Sequence, residues 1–112
     1  MARIGTIDFS GISGHKYTFN VYPIKNDFKK NKGAVYVVTH RTVKYDGTVD
    51  HNLLYIGTCK DVSTVQDMIK DLDCFIREHA NCICTYWEDN SKLRVNINDD
   101  LINHYHPPCN YE

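Results

Sequence analysis

The sequence predicts an α+β domain: a small mixed or antiparallel sheet of three central strands with two helices, extended by an N-terminal β-hairpin. Three observations carry this reading. A β-branched run at residues 33–40 is followed by a second apolar run at 53–58, an apolar stripe of helical period occupies residues 62–79, and residues 16–22 alternate apolar and polar side chains.

The elements follow in order. Residues 3–9 and 16–22 form the hairpin, with Tyr17, Phe19 and Val21 on one face and the two glycines Gly11 and Gly14 in the turn. Pro23 ends the second strand, and residues 24–32 are polar and basic. Residues 33–40 are dense in β-branched side chains and read as a central strand. Asp46-Gly47 marks a hairpin loop over residues 41–52, and residues 53–58 return as a short partner strand buried on both faces. Val62, Val65, Ile69, Leu72, Ile76 and His79 then recur at spacings of three and four. Asp67, Lys70, Asp71 and Glu78 lie on the other face, so the segment predicts one amphipathic helix of roughly 17 residues. Ser63 with Gln66 three positions later fits a capping box. Residues 82–87 read as a third strand. Leu93, Ile97, Leu101 and Tyr105 predict a last helix, stopped by Pro107-Pro108.

A chain of 112 residues has the size of a single compact domain. Within it, residues 1–24 divide off as the hairpin extension and residues 25–112 as the main unit. No run of roughly 18 apolar residues occurs, which excludes a helical membrane span. Residues 1–6 lack an apolar signal region, so a cytoplasmic location is expected. The five cysteines are an odd number and read as reduced thiols or part of a metal site rather than a disulfide framework. Net charge is −1, but it is unevenly spread. Residues 1–44 carry eight basic and two acidic side chains, whereas residues 45–112 carry five basic and 12 acidic. The +6 and −7 halves cancel, so the near-neutral total does not exclude a polyanionic partner.

Ala34-Val35-Tyr36, then Tyr55-Ile56-Gly57, then residues 58–62 and the closing run 101–110 resemble, in order and spacing, the signature elements of the GIY-YIG nuclease family. The resemblance covers roughly residues 33–110 and leaves the hairpin outside. It implies a GIY-YIG-like unit over residues 25–112, in which Tyr36 and Tyr55 match the catalytic tyrosines and Asn110 the terminal asparagine. In active members a tyrosine helps deprotonate the attacking water. An arginine of the first helix stabilises the phosphate, and a glutamate of the last helix holds a divalent cation, magnesium or manganese.

Two of these positions depart from the family. Val65 stands where the arginine belongs and Asn98 where the glutamate belongs. Valine donates no hydrogen bond to a phosphate, and hard cations prefer carboxylate oxygen. Losing one such preorganised group costs about 2.7–4 kcal/mol of barrier, and two losses leave little activity. The resemblance therefore implies a non-catalytic module with no cofactor. In that module Tyr36 and Tyr55 are vestigial, and the plain reading of both is core packing with a satisfied hydroxyl.

The module is expected to bind nucleic acid or a protein partner, nucleic acid through the basic segment 25–44, above all Lys29, Lys30, Lys32 and Arg41, with Gly57, Lys60 and Asn110 on the motif side. Two alternatives stand beside this. One is a metal-dependent DNA endonuclease with a rearranged site that draws on Lys60, Arg77 or Asp99. The other is a protein-interaction or inhibitor domain that acts through the acidic C-terminal half. A zinc site from Cys82, Cys84, Cys109 and His79 has the right ligand types, although C-x-C is an uncommon zinc spacing and buried thiols are the plainer reading.

Overall fold

The computed structural model describes residues 3–111. Its sheet has five strands, not three: β1 (Gly5–Ser10), β2 (Lys16–Pro23), β3 (Ala34–Val43), β4 (Val49–Cys59) and β5 (Cys82–Trp87). All pairings are antiparallel, in the order β1-β2-β5-β3-β4, and the sheet curls into a half-barrel. The expected three-stranded sheet with two helices and an appended hairpin is corrected by the pairing of Val21 with Cys84. That register joins the hairpin to β5 and makes β5 an interior strand. Phe19 and Val21 supply the reason, since they are nearly inaccessible to water and need a neighbouring strand to cover them.

The hairpin of β3 and β4 is also longer than the two apolar runs suggest. Its pairing continues to Val43 opposite Val49. The loop shrinks to a tight turn, closed by Lys44 N–H donating to the Thr48 carbonyl at 2.8 Å with Gly47 at φ 87°. The register shifts where Val38 faces Tyr55 and Thr39 faces Leu53, which leaves Leu54 as an extra residue. This bulge lets Leu54 and Tyr55 pack on the same layer of the core although they are consecutive.

The predicted long helix is three pieces. A 3-10 turn at Val62–Thr64 leads into α1 (Val65–Asp71), and α2 (Asp73–Arg77) follows. The break lies at Leu72, which is extended at φ −90° and ψ 122°. Val62, Val65 and Ile69 are buried as the stripe requires, but Leu72 and Ile76 face solvent. The turn at Leu72 instead points Cys74 and Phe75 into the core. The cap is Asp61, whose carboxylate accepts from Ser63 N–H at 3.0 Å, so the Ser63/Gln66 capping box does not form. The Gln66 amide donates to the carbonyls of Ile24 and Asn26.

The last helix, α3 (Ser91–Tyr105), matches the sequence closely. Asn90 caps it by accepting from Lys92 and Leu93 N–H at 3.0 and 3.1 Å. His106, in the left-handed region at φ 47°, ends it, and a 3-10 turn at Pro108–Tyr111 follows. Strand alternation divides the core into two layers. Phe9, Phe19, Val21, Val35, Val37, Ile56, Cys82 and Cys84 pack with Leu101 of α3. Tyr36, Val38, Leu54 and Ile83 pack with Val62, Val65, Ile69 and Phe75. Among the described residues no helix is long and apolar enough to cross a membrane.

Candidate functional site

Tyr36 and Gly57 are cross-strand partners on β3 and β4. Tyr36 is only 4% exposed and lies on the layer covered by α1 and α2. Its ring is 5.9 Å from that of Tyr55, centroid to centroid, and Tyr55 meets Phe75 edge-on at 5.7 Å. Gly57 makes this possible, because a Cβ there would lie 2.8 Å from both Cζ and Oη of Tyr36 and 2.9 Å from Cε1 of Tyr55. Burial, reinforced by Tyr55 and Cys59, pushes the Tyr36 hydroxyl well above the ordinary tyrosine range. It stays protonated at neutral pH and is a poor base.

Val65, which the resemblance would set at the arginine position, is part of this same core layer. Asn98 belongs to α3, whose Ile97, Leu101 and Tyr105 pack on the opposite layer. The structure therefore does not gather Tyr36, Tyr55 and Asn98 around a cleft. The Asn98 Oδ1 is buried without a hydrogen-bond partner, and a neutral amide oxygen alone is a weak ligand for magnesium or manganese. Its neighbour Asp100 is already engaged. That carboxylate accepts from Ser13 N–H at 2.9 Å, Ser13 Oγ at 2.7 Å and the Tyr17 hydroxyl at 2.8 Å. Among the described residues no group of three His, Cys, Asp or Glu side chains converges as a cation site.

Asn110 lies against the strand that carries Tyr-Ile-Gly. Ile56 N–H donates to its Oδ1 at 2.9 Å, and its Nδ2 donates to the Ile56 carbonyl at 2.9 Å. This pair of bonds satisfies backbone groups on the open edge of β4. Cys109, next in the chain, is bonded to Cys74 of α2, a correction to the reading of all five cysteines as thiols or metal ligands. The bond removes Cys109 from the expected zinc set. Cys82 and Cys84 lie buried in the α3-side layer, and the His79 ring faces His40 at 6.2 Å, so the four are not brought together.

The basic residues separate into two regions. Lys29, Lys30 and Lys32 are exposed on the segment before β3. The Lys32 ammonium sits 4.3 Å above the Trp87 ring, and Trp87 in turn meets Phe28. Beside them lies a polar depression of 350 Å³ lined by Asn31, Gly33, Lys60, Asp89, Ser91 and Arg94. Arg41 is seven residues along β3 from Ala34, about 24 Å away by strand rise, and does not join this group.

Arg94 is the functional candidate that sequence reasoning missed. It is 6% exposed, and its Nη1 donates to the carbonyls of Glu88 and Asp89, both at 2.8 Å. Gly33 leaves the space, since a Cβ there would fall 2.6 Å from that nitrogen. The signal was present: position 94 continues the inward row of Ile97, Leu101 and Tyr105, whereas Leu93 is exposed. No protein-family model, curated protein or solved structure matches this chain.

Proposed function

We propose that this chain is a binding module that holds nucleic acid by its phosphate backbone without cutting it, and that it keeps the GIY-YIG signature as packing rather than chemistry. The observation that carries the reading is the polar depression lined by Lys60 and Arg94, with Lys29, Lys30 and Lys32 exposed on the segment that supplies its Asn31 and Gly33. Ammonium groups on flexible stems suit phosphate oxygens, and the half-buried Trp87 ring holds one of them, Lys32, in place at 4.3 Å. The non-catalytic half of the reading is supported by the protonated, enclosed Tyr36 and by Val65 in the arginine position.

A cytoplasmic location stays within the proposal and makes a demand. The Cys74–Cys109 bond must persist in a reducing compartment, although Cys109 is half-buried and both cysteines line a surface pocket.

The test is a gel shift with single- and double-stranded oligonucleotides, run beside a plasmid-nicking assay containing magnesium or manganese. The module shifts oligonucleotide at low salt and leaves plasmid intact. Nicking that Tyr55→Phe abolishes would overturn the non-catalytic reading. No shift at low salt would overturn nucleic-acid binding and favour a basic protein partner on the acidic half.

A further inference from the structure

A second depression lies between residues 24–27 and the helices α1 and α2. Its walls are Ile24, Ile69, Phe75, Ile76 and Ala80, and its volume is 470 Å³. That falls within the range of small-molecule sites, about 300–1,000 Å³. It exists because the helix breaks at Leu72. A continuous helix would carry Ile76 onto the sheet, but the break leaves it at the mouth of the notch, 60% exposed. The opposite wall is held in place. Ile24 N–H donates to the Asn81 carbonyl at 3.0 Å, and Gln66 ties the carbonyls of Ile24 and Asn26 to α1. The notch therefore does not have to be opened by a ligand.

We infer that this notch binds a small amphipathic anion, an apolar body bearing one carboxylate. The apolar walls take the body. Of the polar lining groups, Lys25 and Lys70 are cations and Asp27 is the one acid, so the mouth is net positive. Both lysines are exposed, and their ammonium groups can meet a carboxylate while it stays partly hydrated. The Gln66 amide nitrogen is already committed to two carbonyls. A neutral or cationic amphiphile of the same length would bury the same apolar body and lack the charge match. The site is separate from the Lys60 and Arg94 depression and shares no lining residue with it.

The experiment is calorimetric titration of the full chain with sodium decanoate below its micelle concentration, against decan-1-ol and decyltrimethylammonium as probes of equal length. Decanoate binds one site, at least tenfold tighter than the cation. Ala80→Trp, which fills the notch, weakens it at least tenfold. The double variant Lys25→Glu with Lys70→Glu does the same and improves the cation. Amide shifts in a nitrogen-15 spectrum of the unaltered chain map the site independently of any variant and concentrate on Ile24, Lys25, Ile69, Ile76 and Ala80. No saturable decanoate binding up to 1 mM (a Kd of about 1 mM being only about −4 kcal/mol) overturns the inference. So does equal binding of the cation, or amide shifts spread elsewhere.

Discussion

Tyr36 and Gly57 face each other across β3 and β4, and the hydroxyl end of Tyr36 lies where a Gly57 side chain would have to be. The Tyr-Ile-Gly element thus has a packing reason to end in glycine that does not depend on catalysis. Gly57→Ala forces either the buried ring or the strand to move, and overpacking of this kind costs about 1–3 kcal/mol. Urea unfolding of the two proteins checks it; an unchanged midpoint would mean that the ring yields freely.

The Cys74–Cys109 bond closes a loop of sequence separation 35. Loop-closure entropy for that length corresponds to about 3–4 kcal/mol of stabilisation. Cys109→Ser lowers the unfolding free energy by that order, and added reductant lowers it in the unaltered protein but not in the variant. The C-terminal turn also loosens, so the Ile56 amide, held by Asn110, exchanges its hydrogen faster. Equal midpoints with and without reductant would contradict this.

Partly or fully buried tyrosines and thiols together set the alkaline limit of stability. Burial first, then the Asp100 carboxylate, raises Tyr17 to about 12, and burial raises Tyr36 further. Each folded-state value exceeds the unfolded value near 10. The native state therefore holds protons that the unfolded chain releases, and this contribution is fully present below pH 10 and is lost as pH rises through the folded values. The tyrosine contribution falls from about pH 10 upward, after an earlier loss from the thiols of Cys59, Cys82 and Cys84, whose pKa values burial also raises. Absorbance titration shows Tyr17 and Tyr36 ionising late. Tyr36→Phe makes the decline shallower; an identical slope would contradict the assignment.

Arg94 anchors the start of α3 to the loop that leaves β5. Arg94→Met keeps the stem but deletes the charged donors to the Glu88 and Asp89 carbonyls, each hydrogen bond being worth about 1.5–3 kcal/mol. The variant melts lower and binds oligonucleotide more weakly. A lower melt with unchanged binding would confine Arg94 to a structural role.

Where a single periodicity governs a segment, the sequence was readable. The alternation of Phe19 and Val21 identified β2, and the four-residue rhythm ending at Leu101 and Tyr105 located α3. Two features were hidden because they depend on distant partners. Cys82, Ile83 and Cys84 are apolar on both faces, as an interior strand requires, but nothing local says that Val21 is the neighbour. The stripe from Val65 to Ile76 is a sound helical pattern, and the break at Leu72 follows from where Cys74 finds Cys109 and Phe75 finds Tyr55. At the candidate site, Lys29, Lys30, Lys32 and Lys60 were legible as charge, while the inward position of Arg94 was masked by its charge, because arginine ordinarily stands in solvent.

The central claim, phosphate-backbone binding by the Lys29, Lys30, Lys32 and Lys60 group, is tested most directly by the salt dependence of oligonucleotide affinity. Fluorescence anisotropy between about 50 and 200 mM salt yields the slope of log affinity against log salt. Single reversals to Glu at these four lysines each make the slope shallower by about 1, and Arg41→Glu leaves it unchanged. Slopes that do not respond to the four reversals, or that respond to Arg41→Glu instead, would contradict it.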